Sequence, residues 1–256
     1  MGRIIAVANQ KGGVGKTTTA INLSSCLAEK GKKVLTVDID PQGNTTRGLG
    51  VDKSKLKATT YELLIGTATF EETVKVNIYK NLSLLPADVD LAGAEVELIG
   101  VEDSSYIMKR FMDVVKDDYD FVIVDCPPSL SILTVNALSS ADTVLVPIQC
   151  EFFALEGLSQ LMHTIDLVKK RLNPDLEIEG VVFTMYDART NLSIQVVDEV
   201  KKKLRRTNIY QTIIPRNVRL GEAPSYGLPI NLYDKHSKGS EAYMLLADEV
   251  IEREVY

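Results

Sequence analysis

The stretch "NQKGGVGKTTTA", residues 9–20, decides the fold. It follows an apolar run, "RIIAVAN" (3–9), and leads into a helical pattern that starts at about Lys16. Strand, glycine-rich loop and helix in that order form a phosphate cradle. Gly12, Gly13 and Gly15 let the backbone around Val14 curl with its N–H groups inward, and the helix N-terminus adds positive potential. Lys16 is placed to reach β/γ-phosphates, the Thr17 hydroxyl to bind Mg²⁺, and Thr18 to reach an α-phosphate. The loop departs from the pattern G-x-x-x-x-G-K-[ST] in two ways: its first glycine is replaced by Gln10, and a second lysine, Lys11, stands at its mouth. A glycine-rich turn with an accidental lysine is the bland alternative. The full K-G-G-V-G-K-T-T string between a strand and a helix outweighs it.

Further apolar runs follow: "KVLTVD" (33–38), "LSLLPA" (82–87), "FVIVDC" (121–126), "TVLVPI" (143–148), "IEGVVFTM" (178–185) and "NIYQTII" (208–214). Several are apolar almost throughout, as parallel strands covered on both faces must be. Helical patterns separate them at 17–30, 104–116, 130–139, 155–172, 191–206 and 240–253. The alternation predicts an α/β fold, a mostly parallel twisted sheet with helices on both faces. No repeat or low-complexity linker interrupts it, so one domain over residues 1–256 is expected. Ligands of such sheets bind beyond the carboxyl ends of the strands.

Two more strand ends carry carboxylates. "VDIDPQGN" (37–44) holds Asp38 and Asp40. Asp40 is the candidate catalytic group, able to orient an attacking water or to hold Mg²⁺ through water. Asp38 is a second candidate for the metal shell, against the alternative of a turn cap before Pro41. "FVIVDCPPS" (121–129) ends a hydrophobic strand in Asp125, the usual form of a Walker B acid that holds Mg²⁺ through water. Pro127 and Pro128 stop that strand and begin a loop suited to sensing a γ-phosphate, while Cys126 reads as a small buried hydrophobe rather than a nucleophile.

Composition narrows the setting. A chain of 256 residues, 45% hydrophobic and 25% charged, suits a soluble α/β protein. Cys26, Cys126 and Cys150 share no C-x-x-C spacing, which points away from disulfides and structural zinc and toward a reducing cytoplasm. The opening "MGRIIAVANQ" is expected to be no signal peptide, and Ala6 breaks the myristoylation pattern. The net charge of −6 argues against attraction of the whole protein to nucleic acid. Yet residues 185–240 hold ten basic and five acidic side chains, so that segment carries +5 and the remainder −11. Local field decides where a polyanion docks.

Together, K-G-G-V-G-K-T-T (11–18), V-D-I-D-P-Q-G-N (37–44) and D-C-P-P-S (125–129) resemble the deviant Walker A ATPases, and within them the ParA/Soj chromosome-partitioning proteins. "LPADVDLAGAEVEL" (85–98), "VPIQCEFFALEGLSQL" (146–161), "TMYDARTNLSIQVVDEV" (184–200) and "IIPRNVRLGEAPSYGLPI" (213–230) extend the resemblance over nearly the whole chain, with no departure at matched positions. It implies a three-layer P-loop NTPase fold, ATP and Mg²⁺ as cofactors, and slow, partner-stimulated ATP hydrolysis. It implies a homodimer that sandwiches two ATP molecules, with Lys11 reaching the partner's phosphates, which explains the second lysine. It implies adenine contacts from Pro215 and Asn217. It also implies binding of double-stranded DNA without sequence preference through Arg189, Arg216 and Arg219, and a ParB/Spo0J-type centromere-binding partner. The run "KKKLRR" (201–206) either adds to the DNA surface or is a solvated helix end favoured by the macrodipole. A cytoplasmic, nucleoid-associated protein is therefore expected, and no helix-turn-helix segment for operator recognition precedes the loop.

Four other classes share the loop. A MinD-like membrane regulator needs a basic amphipathic C-terminal helix, whereas "EAYMLLADEVIEREVY" is acid-rich, so no stable membrane association is expected. Iron–sulfur carriers need paired cluster cysteines. Tyrosine kinases of this fold carry a C-terminal tyrosine cluster, of which Tyr256 alone is none. An ATP-dependent amidoligase would require a small-molecule acid for turnover.

Overall fold

The computed structural model describes residues 2–204 and 209–253. Asn208 of the last apolar run, Arg205 and Arg206 of "KKKLRR", and Tyr256 lie outside these residues. Eight strands form one sheet: β1 (Arg3–Val7), β2 (Val34–Asp38), β3 (Lys75–Tyr79), β4 (Leu82–Leu85), β5 (Phe121–Asp125), β6 (Thr143–Gln149), β7 (Glu177–Tyr186) and β8 (Ile209–Pro215). Their order is β3-β4-β2-β5-β1-β6-β7-β8. Every pairing is parallel except β3 with β4 at the edge.

The helices are α1 (Lys16–Glu29), α2 (Asn44–Gly48), α3 (Thr60–Ile65), α4 (Phe70–Thr73), α5 (Leu91–Glu97), α6 (Ile107–Val115), α7 (Ile132–Ser140), α8 (Ala154–Arg171), α9 (Asn191–Lys203), α10 (Val218–Glu222), α11 (Ile230–Tyr233) and α12 (Lys238–Glu252). The alternation of β1 shows why two helical layers are required. Ile4, Ala6 and Ala8 pack on one face with α6, α7, α8 and α9 residues such as Met112, Leu133, Leu161 and Val200. Ile5 and Val7 pack on the other face with Leu23 and Leu27 of α1 and Leu246 and Val250 of α12. Neither sheet face is left to solvent, so a continuous apolar run is the stable sequence for the central strands.

The acid-rich C-terminal helix puts its stripe on this core. Tyr243, Leu246, Ala247 and Val250 are each at most 1% exposed, and the Tyr243 hydroxyl lies 3.1 Å from Thr19 Oγ1 of α1. Burial of a side chain such as Leu246 or Val250 contributes roughly 1.5–3 kcal/mol. Among the described residues, no helix is long and apolar enough to cross a membrane.

Register fixes the functional edge. Val7 pairs with Asp125 and with Leu145, and Asp38 pairs with Asp125. The loops after β1, β2 and β5 therefore leave the sheet side by side, with β5 in the middle. The short helices α2, α3, α4, α5, α10 and α11 were not read from the sequence, and two further elements differ from that reading. β3 escaped it because this edge strand is half-exposed and polar at Lys75 and Asn77, with Asn77 at φ 51° breaking its alternation. The helix after β5 begins at Ile132 rather than Leu130: the chain bends at Pro128 and Ser129, Ser131 is the extended N-cap, and Thr134 Oγ1 donates to Ser129 O at 2.6 Å to close that loop.

Candidate nucleotide-binding site

The phosphate loop joins β1 to α1. Gly15 sits at the N-cap with φ 91°, a conformation glycine adopts without strain, and it brings no side chain to cap the helix. The N–H groups of the first turn of α1 thus point into the loop with no side-chain acceptor, an arrangement that attracts an anion. A Cβ added at Gly12 or Gly13 would meet nothing within 4 Å, so protein does not fill the mouth of the cradle. Asn9 braces the entrance: its Nδ2 donates to Pro147 O at 2.8 Å, and its Oδ1 accepts from Lys11 N at 3.0 Å.

The far wall comes from β7. Thr184 Oγ1 donates to Val14 O at 2.8 Å, and its methyl lies 3.6 Å from where a Gly15 Cβ would stand. Met185 follows with φ 50°, an unusual conformation for a methionine. Both open the stretch TMYDARTNLSIQVVDEV (184–200), yet sequence reasoning assigned neither to the site. Thr184→Val keeps the shape and removes the donor, leaving Val14 O unpaired in a buried wall. Nucleotide affinity should fall about three- to tenfold, equivalent to one hydrogen bond of about 1 kcal/mol, and the thermal midpoint should fall as well, because the unpaired Val14 O also destabilises the empty protein. Titration with a fluorescent nucleotide reads this directly.

Charge converges at the end of β5. Asp125 is fully buried; Oδ2 accepts from Thr45 Oγ1 at 2.7 Å, and Oδ1 has no hydrogen-bond partner. Burial pushes the Asp125 carboxyl up, against the hydroxyls of Thr45 and Thr17 and the Lys16 ammonium nearby. Asp38, also fully buried, is pushed up by burial and by the Asp125 charge on the next strand. Its Oδ2 accepts from Thr46 N at 2.8 Å and Thr46 Oγ1 at 2.7 Å, and its Oδ1 accepts from Asp40 N at 3.2 Å. Asp38 therefore fixes the turn after β2, while Asp125 keeps one oxygen uncommitted. Cys126 is wholly buried, its thiol pushed up by burial, as a small core residue would be.

Lys16 is 6% exposed, and its Nζ donates to Lys11 O at 3.0 Å. Burial lowers its pKa below the usual lysine range, while Asp125 and Asp40 favour its charged form. Asp40 is 8% exposed; Gln42 N donates to its Oδ1 at 2.9 Å, and its Oδ2 has no hydrogen bond among the described residues. Lys11 points elsewhere, to Glu151 Oε2 at 3.0 Å. Thr45, Thr46 and Glu151 are further site residues missing from the sequence reading. Thr45 and Thr46 directly follow the VDIDPQGN motif, so their place in the chain was the available signal.

The remaining candidates cluster at the ends of β7 and β8. Tyr186 pairs with Pro215, and Arg216 N donates to Tyr186 O at 3.0 Å. Asn217 Oδ1 accepts from Arg219 N at 2.9 Å, capping α10. Arg189, Arg216 and Arg219 are exposed. Arg189 NH2 pairs with Asp187 at 2.7 Å, and Arg219 NH1 pairs with Glu222 at 2.8 Å. The adenine-side and arginine candidates thus share two adjacent strand ends.

Comparison with known proteins gives a consistent relationship. A family model described as an AAA domain matches residues 2–178. The sporulation initiation inhibitor protein Soj of Bacillus subtilis (strain 168) is 56% identical over 250 residues, covering 98% of both chains. The chromosome partitioning protein ParA of Myxococcus xanthus is 50% identical over 254 residues, covering 99% of this chain and 89% of that one. Among solved structures, cobyrinic acid a,c-diamide synthase from Mycobacterium smegmatis, with bound ADP and magnesium, is similar at a TM-score of 0.86. It is 40% identical and covers 99% of this chain and 95% of that one.

Proposed function

The chain belongs to the Soj/ParA family of chromosome-partitioning ATPases, and on that premise we propose that it binds and slowly hydrolyses ATP with Mg²⁺ as an ATP-sandwich homodimer. The dimer holds DNA without sequence preference and releases it when a ParB/Spo0J-type partner stimulates hydrolysis. The observation that carries the reading is the loop itself: an α1 N-terminus without a side-chain cap, an open cradle at Gly12 and Gly13, and a second lysine whose ammonium pairs with Glu151.

In this reading Gly12, Gly13, Val14, Gly15, Lys16, Thr17 and Thr18 bind the phosphates through backbone N–H groups and side chains. Lys16 exchanges Lys11 O for β/γ-oxygens without first shedding water, because the fold has already buried it. The orphaned Asp125 Oδ1 and the neighbouring Thr17 hydroxyl suit a Mg²⁺ ion held directly by Thr17 and through water by Asp125. When bound, that ion would neutralise charge developing on the phosphate oxygens. Asp38 positions Thr46 and Asp40 rather than offering a spare oxygen. Asp40 keeps Oδ2 for orienting the attacking water. Lys11 supplies a cation in trans, which makes the nucleotide part of the interface and ties assembly to its presence. Pro215 and Asn217 approach the base, and the capping bond from Asn217 joins that contact to Arg219. The base loop and the DNA surface are then one unit, and one domain houses the whole cycle.

DNA binding measured with ADP, with ATP and without nucleotide tests the central reading. ATP-specific, salt-sensitive binding without sequence preference is expected. Arg189 and Arg219 must turn from Asp187 and Glu222 to phosphates. Arg219→Glu should weaken binding to every sequence alike and reduce the salt slope by about one. Wild-type DNA affinity in an Arg219→Glu chain that still dimerises would remove Arg219 from the surface. The likeness to a diamide synthase keeps the amidoligase reading testable. ATP turnover that requires a carboxylic acid acceptor and ignores DNA would favour it.

A further inference from the structure

We propose that Glu151 is a latch that holds Lys11 within its own chain until nucleotide-driven assembly draws it to a partner's phosphates. The inference rests on the ATP-sandwich reading above and concerns its regulation.

Lys11 is fixed at its backbone, where its N–H donates to Asn9 Oδ1, and at its tip, where Nζ meets Glu151 Oε2 at 3.0 Å. Glu151 is itself placed by a hydrogen-bonded turn between β6 and α8. Its N–H donates to Gln149 O at 2.8 Å, its carbonyl accepts from Ala154 N at 3.0 Å, and Gln149 Nε2 donates to its second carboxylate oxygen. The direction of the Lys11 ammonium is thus set from outside the phosphate loop. The side chains are 30% and 46% exposed, so the pair is weak enough to exchange. Phe152 and Phe153, next in the chain, are 77% and 60% exposed and stack edge to face. Two adjacent exposed aromatics beside the lysine are a surface that a second copy would cover, and covering them changes the solvation of the pair. A single carboxylate competes poorly with the charge of a triphosphate, so the exchange proceeds when a partner presents ATP. Without it, Glu151 retains Lys11.

The test compares wild type, Glu151→Gln, Glu151→Asp, Lys11→Ala and the Lys11→Ala/Glu151→Gln double variant. In nucleotide-free protein, brief acetylation read by peptide mass spectrometry should label Lys11 about two- to fivefold faster in Glu151→Gln than in wild type, the span expected for an exposed pair. Glu151→Asp should restore the slower rate. Sedimentation with a non-hydrolysed ATP analogue should show Glu151→Gln assembling at about two- to fivefold lower protein concentration, an advantage absent in the Lys11→Ala background. Urea midpoints should agree across the set, separating a latch from a general structural role. A wild-type chain that assembles, with Lys11 labelled at one rate in wild type and Glu151→Gln, overturns the latch alone. Faster labelling with unchanged or weaker assembly also overturns it. A wild-type chain that stays monomeric with the analogue removes ATP-driven assembly and the latch with it.

Discussion

Lys16→Ala is expected to lower ATP turnover by at least about 10²-fold, the loss typical of removing one preorganised charge stabiliser. The fold prepares this residue at some expense. The residue is 6% exposed, its pKa is lowered by burial, and among the described residues its ammonium donates to Lys11 O. A cation kept dry in this way sheds little water on meeting a phosphate, so the interaction is stronger than that of a surface lysine. Alanine removes this stabiliser together with a buried charge whose desolvation outweighs its attraction to Asp125 and Asp40, so the nucleotide-free protein should melt no earlier than wild type. Lys16→Arg should not rescue turnover, because a planar fork does not replace a compact point charge in a closed loop. Turnover assays paired with nucleotide titration separate binding from chemistry. Turnover by Lys16→Ala within tenfold of wild type would place Lys16 away from the phosphates.

Much of this arrangement is legible in the sequence because it depends on chain order. The phosphate loop, Asp38, Asp40 and Asp125 each follow an apolar run, and parallel pairing brings the ends of such runs to one edge. What the sequence hides are relations between distant segments. Nothing in the order of residues says that Thr184 holds Val14 O, 170 positions away, or that Glu151 rather than a phosphate holds Lys11 in the single chain. The roles of the two acids after β2 also needed geometry. Asp38 and Asp40 are alike in "VDID", but register sets Asp38 against Asp125, where its oxygens go to Thr46 and the turn. Asp40, past the strand end, keeps an oxygen for solvent or substrate. β3 was missed for a different reason: an edge strand covered on one side needs no continuous apolar run.

Asp40→Ala should leave nucleotide affinity within about threefold while slowing turnover by roughly 10²–10⁴-fold, the span contributed by a positioned acid–base group. In the proposed cycle, where assembly follows ATP binding and disassembly follows hydrolysis, dimers should accumulate on ATP. The geometry makes the prediction specific. The backbone of Asp40 is pinned by Asp38 Oδ1, one carboxylate oxygen is occupied by Gln42 N, and the other has no hydrogen bond among the described residues. Alanine loses the free oxygen and the turn-closing acceptor together, so the two effects must be separated. Asp40→Asn does so: its amide oxygen can still accept from Gln42 N, but it offers no carboxylate to align or deprotonate a water. If Asp40→Asn loses as much turnover as Asp40→Ala while its urea midpoint stays at the wild-type value, the defect lies in the free oxygen rather than in the turn. If Asp40→Asn hydrolyses ATP normally, the water must be oriented by another group, and Asp40 is left with the structural task of shaping the turn before α2.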